Sequence, residues 1–80
     1  MSNLLRIQEA IIEESSSKPI KKGFIRRNVK IRDEEFRINH PAFDAQIESL
    51  VDMGIMREHQ DGYFSLTEKG YMLSVNIFAN

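Results

Sequence analysis

The sequence of 80 residues contains no cysteine, so neither disulfides nor thiolate metal sites can stabilise its fold. It has no apolar run near the ~20 residues that a helix needs to span a bilayer. The N-terminus, MSNLLRIQEAII, carries acidic charge within its apolar pattern, unlike a secretory signal peptide. We therefore expect one small domain over residues 1–80, held by hydrophobic packing and located in the cytoplasm.

Groups that could carry catalysis are also sparse. The histidines, His40 and His59, are predicted to be separated by a helix and part of a strand, with no Cys or second His at ligand spacing. Ser15–Ser17 lie in a predicted turn without a nucleophile elbow, and no glycine-rich phosphate-binding motif is present. We expect neither an enzyme nor a bound metal or cofactor.

The net charge is only −1, but the basic residues are concentrated in one segment. Residues 18–32, KPIKKGFIRRNVKIR, contain seven of the eleven Lys and Arg residues and no acid. The segment is either a phosphate-facing patch or a solvated basic face onto which neighbouring carboxylates fold. The first interpretation predicts DNA as partner, with backbone contacts from Lys21, Lys22, Arg26, Arg27, Lys30 and Arg32.

The first half of the chain predicts one clear helix and one ambiguous segment. A helix over about residues 3–15 is predicted from apolar spacing, capped by Ser2 or Asn3 and ended by SSSKP. In KKGFIRRNV a short second helix would place Phe24, Ile25 and Val29 on one side. Alternatively, NVKIR and EFRI alternate as strands around the DEE turn.

The second half gives a firmer pattern. A third helix is predicted over about residues 41–53, with Asn39 or His40 as cap, Pro41 in its first turn and Gly54 at its end. Its core stripe consists of Phe43, Ile47, Leu50 and Val51. Asp61-Gly62, between IMREHQ and YFSLT, predicts a β-hairpin with a two-residue turn whose residues both have positive φ.

A last helix is predicted over about residues 68–78, with Thr67 as its cap. Apolar side chains surround most of this helix, more than one small core can receive. The surplus, among Met72, Ile77 and Phe78, predicts a homodimer through the C-terminal helix. The alternative is that the helix folds back onto the first helix and closes a monomeric core.

The order of elements, and above all IESLVDMGIMREHQDGYFSLTEKG, resembles the winged helix-turn-helix fold and the MarR-like and PadR-like bacterial regulators. The resemblance implies a small α+β winged helix with three to four helices and a hairpin wing in the C-terminal half. It further implies a DNA-binding transcription or replication accessory factor whose third helix enters the major groove. His40, Gln46 and Ser49 would then read bases, and Arg57 and His59 would be wing contacts.

Two features favour a different partner. Asp44, Glu48 and Asp52 form an acidic ridge on the third helix that phosphates would repel. The segment IESLVDMGIMRE is also similar to the C-terminal winged helix of cullins, which engages proteins. The helix LLRIQEAI has no counterpart of the lysine that accepts a modifier in that family. The alternative expectation is therefore a winged-helix protein-interaction module without DNA binding.

Overall fold

The computed structural model describes residues 4–32 and 39–78, apart from the side chains of Arg32 and Phe78. Four helices and three strands are present in these two ranges. They follow in the order α1 (Arg6–Glu13), β1 (Ile20–Lys21), α2 (Lys22–Arg32), α3 (His40–Asp52), β2 (Met56–Glu58), β3 (Tyr63–Leu66) and α4 (Glu68–Phe78). The α+β class and the order of helices around a C-terminal hairpin are confirmed.

Helix α1 is central to the helical layer and shorter than predicted. It contacts α2, α3 and α4, and its Ile11 and Ile12 side chains are fully buried. The backbone N–H of Leu5 donates to Oε1 of Gln8 at 3.0 Å, which satisfies one of the free donors at the helix start. The predicted caps, Ser2 and Asn3, lie outside the described residues.

Residues 28–32 continue helix α2, so the strand interpretation of NVKIR is wrong, while EFRI and the DEE turn lie outside the described residues. Ile25 and Val29 are four residues apart and buried on one face. Phe24 was predicted to share that face but is instead 57% exposed. The reason is geometric, because adjacent helical residues differ by about 100° around the axis.

Helix α3 agrees closely with its prediction. The side-chain oxygen of Asn39 accepts a hydrogen bond from the Ala42 N–H at 2.9 Å, so Asn39 is the N-cap. Phe43, Ile47 and Leu50 are buried. Gly54 follows the helix with φ +75°, the left-handed conformation expected at a helix end.

The sheet contains one strand more than predicted. It is antiparallel with the order β1-β3-β2, and β1 pairs Ile20 with Phe64. Asp61 and Gly62 have φ values of +62° and +78°, as predicted for the turn of the hairpin. The turn holds three residues rather than two, because the His59 N–H donates to the Tyr63 carbonyl at 2.7 Å and the chain reverses over Gln60–Gly62.

The core lies between the helices and the inner face of the sheet. It is one cluster of buried side chains from every helix except α4, together with β2, β3 and the residue before β2. Its members are Ala10, Ile11, Ile12, Ile25, Val29, Phe43, Ile47, Leu50, Ile55, Met56, Phe64 and Leu66. Helix α4 contributes Leu73, which is partly buried against the cluster, and contacts α1. In the two described ranges, no helix has the length and apolar character needed to cross a membrane.

Candidate nucleic-acid interface

Helix α2 directs the basic segment away from the core. Because Ile25 and Val29 anchor one face, Arg27 and Lys30 lie on the exposed surface and Arg26 is half-buried beside them. Lys21 is exposed in β1 rather than in the helix. The structure therefore brings together three of the six basic residues predicted as backbone contacts, namely Arg26, Arg27 and Lys30.

Lys22 has a different environment. Its Nζ lies 3.2 Å from Oδ1 of Asp44 on α3, and both side chains are partly exposed. This ion pair joins α2 to α3 and neutralises one member of the acidic ridge. An exposed pair of this kind contributes little to stability, so its main effect here is on the local charge.

A hollow of about 300 Å³ lies between α2 and the start of α3, and we call it the α2–α3 hollow. Arg26, Arg27, Lys30 and His40 supply its polar lining, Val29 and Phe43 its apolar lining, and Gly23 completes it. His40 is therefore placed with three of the predicted phosphate contacts. Its imidazole lies at the N-terminal end of α3, where the helix dipole is positive.

The C-terminal half of α3 has the opposite charge. Glu48 and Asp52 are exposed, and with Val51 and Glu58 of β2 they line a second hollow of about 180 Å³. The acidic ridge predicted from the sequence is thus extended by the wing. A phosphate backbone laid along the whole of α3 would be repelled at this end.

Gln46 is held inside the fold. Its Oε1 accepts a hydrogen bond from Nε2 of Gln8 on α1 at 3.2 Å, and Gln8 itself is buried. The amide is therefore directed at α1 and away from the α2–α3 hollow. Ser49, also predicted to read bases, is partly buried on α3 and outside both hollows.

The hairpin offers less positive charge than is expected of a wing that contacts DNA. Nε2 of His59 and Oγ of Ser65 lie 2.7 Å apart and share a hydrogen bond across the two strands. Arg57 is exposed, but so are Glu58 and Asp61. His59 is thus engaged within the hairpin, and Arg57 is the predicted wing contact that faces solvent.

The three-dimensional arrangement has a counterpart among solved structures. The H. salinarum protein RosR, a winged-helix-type transcription regulator, superposes with a TM-score of 0.84 over 96% of this chain and 73% of its own, at 17% sequence identity. The fold is a winged helix. No protein-family model and no curated protein sequence matches the chain. The likeness to RosR supports the winged-helix fold but not the narrower resemblance to MarR-like and PadR-like regulators or to cullins.

In the winged helix, α2 and α3 form the helix-turn-helix pair, and β2 and β3 form the wing. Sequence reasoning missed two features of this arrangement. The first is the exposure of two apolar side chains on α2, Phe24 at 57% and Ile31 at 69%. Only Phe24 had been expected to be buried. The Lys22–Asp44 ion pair was also missed, because no sequence signal indicates which charges on two separate helices will meet.

Metal chemistry finds no support in the parts of the chain that the structure describes. Within them, no group of three or more His, Cys, Asp and Glu side chains is arranged to hold a metal ion. The three carboxylates of the second hollow do not form such a group. Three surface features could instead contact a partner: the basic side of α2, the exposed apolar side chains of α2 and the outer face of α4.

Proposed function

We propose that this protein is a DNA-binding transcription or replication accessory factor that acts in the cytoplasm and docks on duplex DNA through its helix-turn-helix pair. The observation that carries the proposal is the convergence of Arg26, Arg27, Lys30 and His40 at one site, where none of the described lining residues is acidic. The likeness of the fold to the transcription regulator RosR supports the same assignment.

In the proposed docking, the N-terminal end of α3 approaches the groove and its acidic C-terminal half is tilted away. Arg26, Arg27 and Lys30 contact the phosphate backbone from α2. Lys21 and, from its place in the sequence, Arg32 add to these contacts. His40 and Ser49 are the proposed base contacts and Arg57 the wing contact. Gln46 takes no part, because its amide is bonded to Gln8.

The charge reversal Arg26→Glu/Arg27→Glu tests this proposal. Titration of labelled duplex DNA, followed by fluorescence anisotropy, is expected to show binding by the wild type that weakens with salt, with a log–log slope of about −0.9 per neutralised phosphate. The double variant is expected to lose binding by at least a hundredfold, while circular dichroism shows that it stays folded. Unchanged affinity of the folded double variant would remove DNA docking by α2.

A matched variant separates local contact from net charge. Glu48→Gln/Asp52→Asn removes two charges that lie about 12 Å or more along α3 from His40, at 1.5 Å per residue. This separation exceeds the Debye length at physiological salt. We expect its DNA affinity to change by less than about threefold, since screening weakens interactions over that distance. If the DNA affinity of this variant rose as much as that of the charge-reversal variant fell, overall charge and not docking through α2 would determine binding.

A protein-interaction module is the second candidate, and one observation favours it. Phe24 and Ile31 flank Arg27 on the outer face of α2 and are more than half exposed. Exposed apolar side chains grouped on one face are typical of protein interfaces. Phe24→Ser/Ile31→Ser should leave DNA affinity within about twofold if DNA is the partner, and this candidate gains support if the wild type binds no DNA.

We also propose that two copies pair through α4. Tyr71, Met72 and Val75 are exposed on this helix, with Met72 54% accessible, so part of its apolar surface is not used by the core. Of the other two side chains predicted for the interface, Ile77 is half-buried and Phe78 lies outside the described side chains. Sedimentation should show a species heavier than 9.3 kDa that Met72→Glu disperses; a 9.3 kDa species at every concentration contradicts pairing.

A further inference from the structure

The sheet has an outer face, which is turned away from the core. Side chains alternate between the two faces of a strand, and Phe64 and Leu66 of β3 belong to the core. Tyr63 of the same strand therefore lies on the outer face, where it is 39% exposed. Because β3 is the central strand, this aromatic side chain stands between the two edge strands.

Each edge strand places an exposed cation beside Tyr63. Lys21 of β1 is paired with Tyr63, and Arg57 of β2 is paired with Ser65, two residues further along β3. Directly opposed and diagonal neighbours of this kind have Cβ atoms about 5 Å and about 7–8 Å apart. His59, two residues after Arg57, shares the same face. We call the surface formed by Lys21, Arg57, His59 and Tyr63 the sheet platform.

The carboxylates of the hairpin are placed elsewhere. Glu58 alternates with Arg57 and lines the second hollow with Glu48 and Asp52, on the side of the sheet that faces α3. Asp61 lies in the turn, before β3 begins. Among the described strand residues, none on the outer face is acidic, so the cations of the sheet platform surround the aromatic ring without a carboxylate between them.

The sheet platform is also partly fixed within the fold. Nε2 of His59 and Oγ of Ser65 lie 2.7 Å apart, and Ser65 is only 5% exposed. The backbone N–H of His59 donates to the Tyr63 carbonyl at 2.7 Å, so the two residues are neighbours on one face. The imidazole is therefore held against the sheet beside Tyr63 before any ligand arrives, which lowers the entropic cost of binding.

Cations around an exposed aromatic ring are the groups with which proteins bind single-stranded nucleic acid, the ring stacking on a base and the cations contacting phosphates. In a duplex both faces of each base are already stacked, so the Tyr63 ring finds a partner only where a nucleotide is unpaired. We propose that the sheet platform binds single-stranded nucleic acid, with Tyr63 stacked on one base and Lys21 and Arg57 on the adjacent phosphates. Tyr63 is not among the proposed duplex contacts, and the inference does not rest on docking by α2.

Intrinsic fluorescence tests the stacking directly. The chain contains two tyrosines and no tryptophan, so Tyr71→Leu leaves Tyr63 as the single fluorophore of this kind. Titration with a short oligothymidylate is expected to quench the Tyr63 emission saturably, because a stacked base quenches the excited ring. Tyr63→Leu, in which only Tyr71 emits, is the matched control for light absorbed by the oligonucleotide and should show no saturable quenching. Equal quenching in the two variants, or saturable quenching in neither, would overturn the inference.

Anisotropy of a labelled oligothymidylate measures how much the ring contributes to binding. Tyr63→Leu is expected to lower the affinity by about fivefold or more, since one stacked base is lost. Tyr63→Trp should keep the affinity because it keeps a stacking face, and Tyr71→Leu should leave it within about twofold. If Tyr63→Leu fails to fold, Lys21→Ala/Arg57→Ala replaces it, with the same expected loss. Full affinity in a folded Tyr63→Leu protein would contradict the inference.

A labelled duplex of the same length separates the sheet platform from the proposed function. Tyr63→Leu should leave the duplex affinity within about twofold. An equal loss for the duplex and the single strand would make Tyr63 a wing contact of duplex DNA and overturn the stacking. Binding of oligothymidylate by a protein that binds no duplex would support the sheet platform and remove the proposed function, whereas binding of the duplex alone would do the reverse.

Discussion

The two ends of helix α3 are finished in different ways. At the C-terminal end, Nζ of Lys69 donates to the Met53 carbonyl at 2.9 Å, and the Thr67 hydroxyl donates to the Gly54 carbonyl at 2.6 Å. At the N-terminal end, Asn39 caps the helix, but the neighbouring side chains are the cations of the α2–α3 hollow. One end is satisfied within the fold, and at the other end the described side chains carry a surplus of positive charge.

The helix dipole makes cations at the two ends of α3 act on stability in opposite directions. A cation near the last turn, such as Lys69, stabilises a helix, whereas cations near the first turn oppose the positive end of the dipole. Arg26 and Lys30, which line the hollow beside the start of α3, therefore lie where their charge costs stability unless an anion is present. This arrangement is the physical reason for proposing that the N-terminal end of α3 binds a partner, whereas the C-terminal end supports the fold.

Glycine shows the same contrast, and the largest expected effect comes from Gly70 in α4. A Cβ at this position would lie well inside contact distance of the Ile55 carbonyl oxygen, so the backbone at the C-terminal end of α3 would have to shift. We expect Gly70→Ala to lower the free energy of unfolding by about 2 kcal/mol, the overpacking cost exceeding the gain in helix propensity. A thermal melt should show a decrease on the order of 10 °C.

An unchanged thermal unfolding midpoint for Gly70→Ala would show that α4 does not approach Ile55 closely. The C-terminal end of α3 would then not differ from the N-terminal end in how tightly it is packed. The Thr67 hydroxyl provides an internal check, because it accepts the Gly70 N–H at 3.1 Å and so caps α4 at the same junction. Thr67→Ala should cost about 1 kcal/mol, a smaller loss in the same direction.

The wing tip, like the C-terminal end of α3, requires a particular backbone conformation. A substitution there should have an intermediate effect on the free energy of unfolding. Gly62 has φ +78°, and a Cβ added there would meet no atom within 4 Å, so only backbone strain opposes a side chain. Gly62→Val is expected to destabilise the hairpin by about 1–2 kcal/mol, because a β-branched residue is strained in the left-handed region. Urea unfolding measures this effect, and Gln60→Lys, exposed in the same turn, should be nearly neutral.

If Gly62→Val and Gln60→Lys unfold at the same urea concentration, positive φ at the turn is not required and the hairpin has another geometry. Chemical shifts that indicate helix across residues 57–65 would discard the wing altogether. Both measurements concern the hairpin and not the α2–α3 hollow. They therefore test the structural side of the comparison and not the proposed binding.

The smallest effect on stability is expected at the N-terminal side of α3, where binding is proposed, and it has the opposite sign. Gly23→Ala makes the same change as Gly70→Ala, but its Cβ makes only an ordinary contact of 3.6 Å with Nη2 of Arg26, so helix propensity decides the effect. We expect it to raise the free energy of unfolding by about 0.5–1 kcal/mol. Loss of stability in urea unfolding would mean that the fold requires Gly23, and the contrast with Gly70 would be lost.

The sequence predicted the second half of the molecule better than the first. Asn39, Gly54 and Thr67 act through backbone groups a few residues away, so their roles as caps could be predicted before any packing was known. Strand β1 could not be predicted, because two residues have no periodicity and become a strand only by pairing with β3. The exposure of Phe24 was missed for a related reason, since a short segment with neighbouring apolar residues does not show which of them faces inward.

Within the candidate site, the sequence determined the supply of cations in residues 18–32, and local propensity set the helices that carry them. Only the tertiary structure decided which of these cations meet. The packing of α2 and α3 on α1 brings Arg26 and Lys30 to His40, ties Gln46 to Gln8 and pairs Lys22 with Asp44. Such contacts depend on where a shared third helix holds two helices, and no local pattern along the chain encodes that distance.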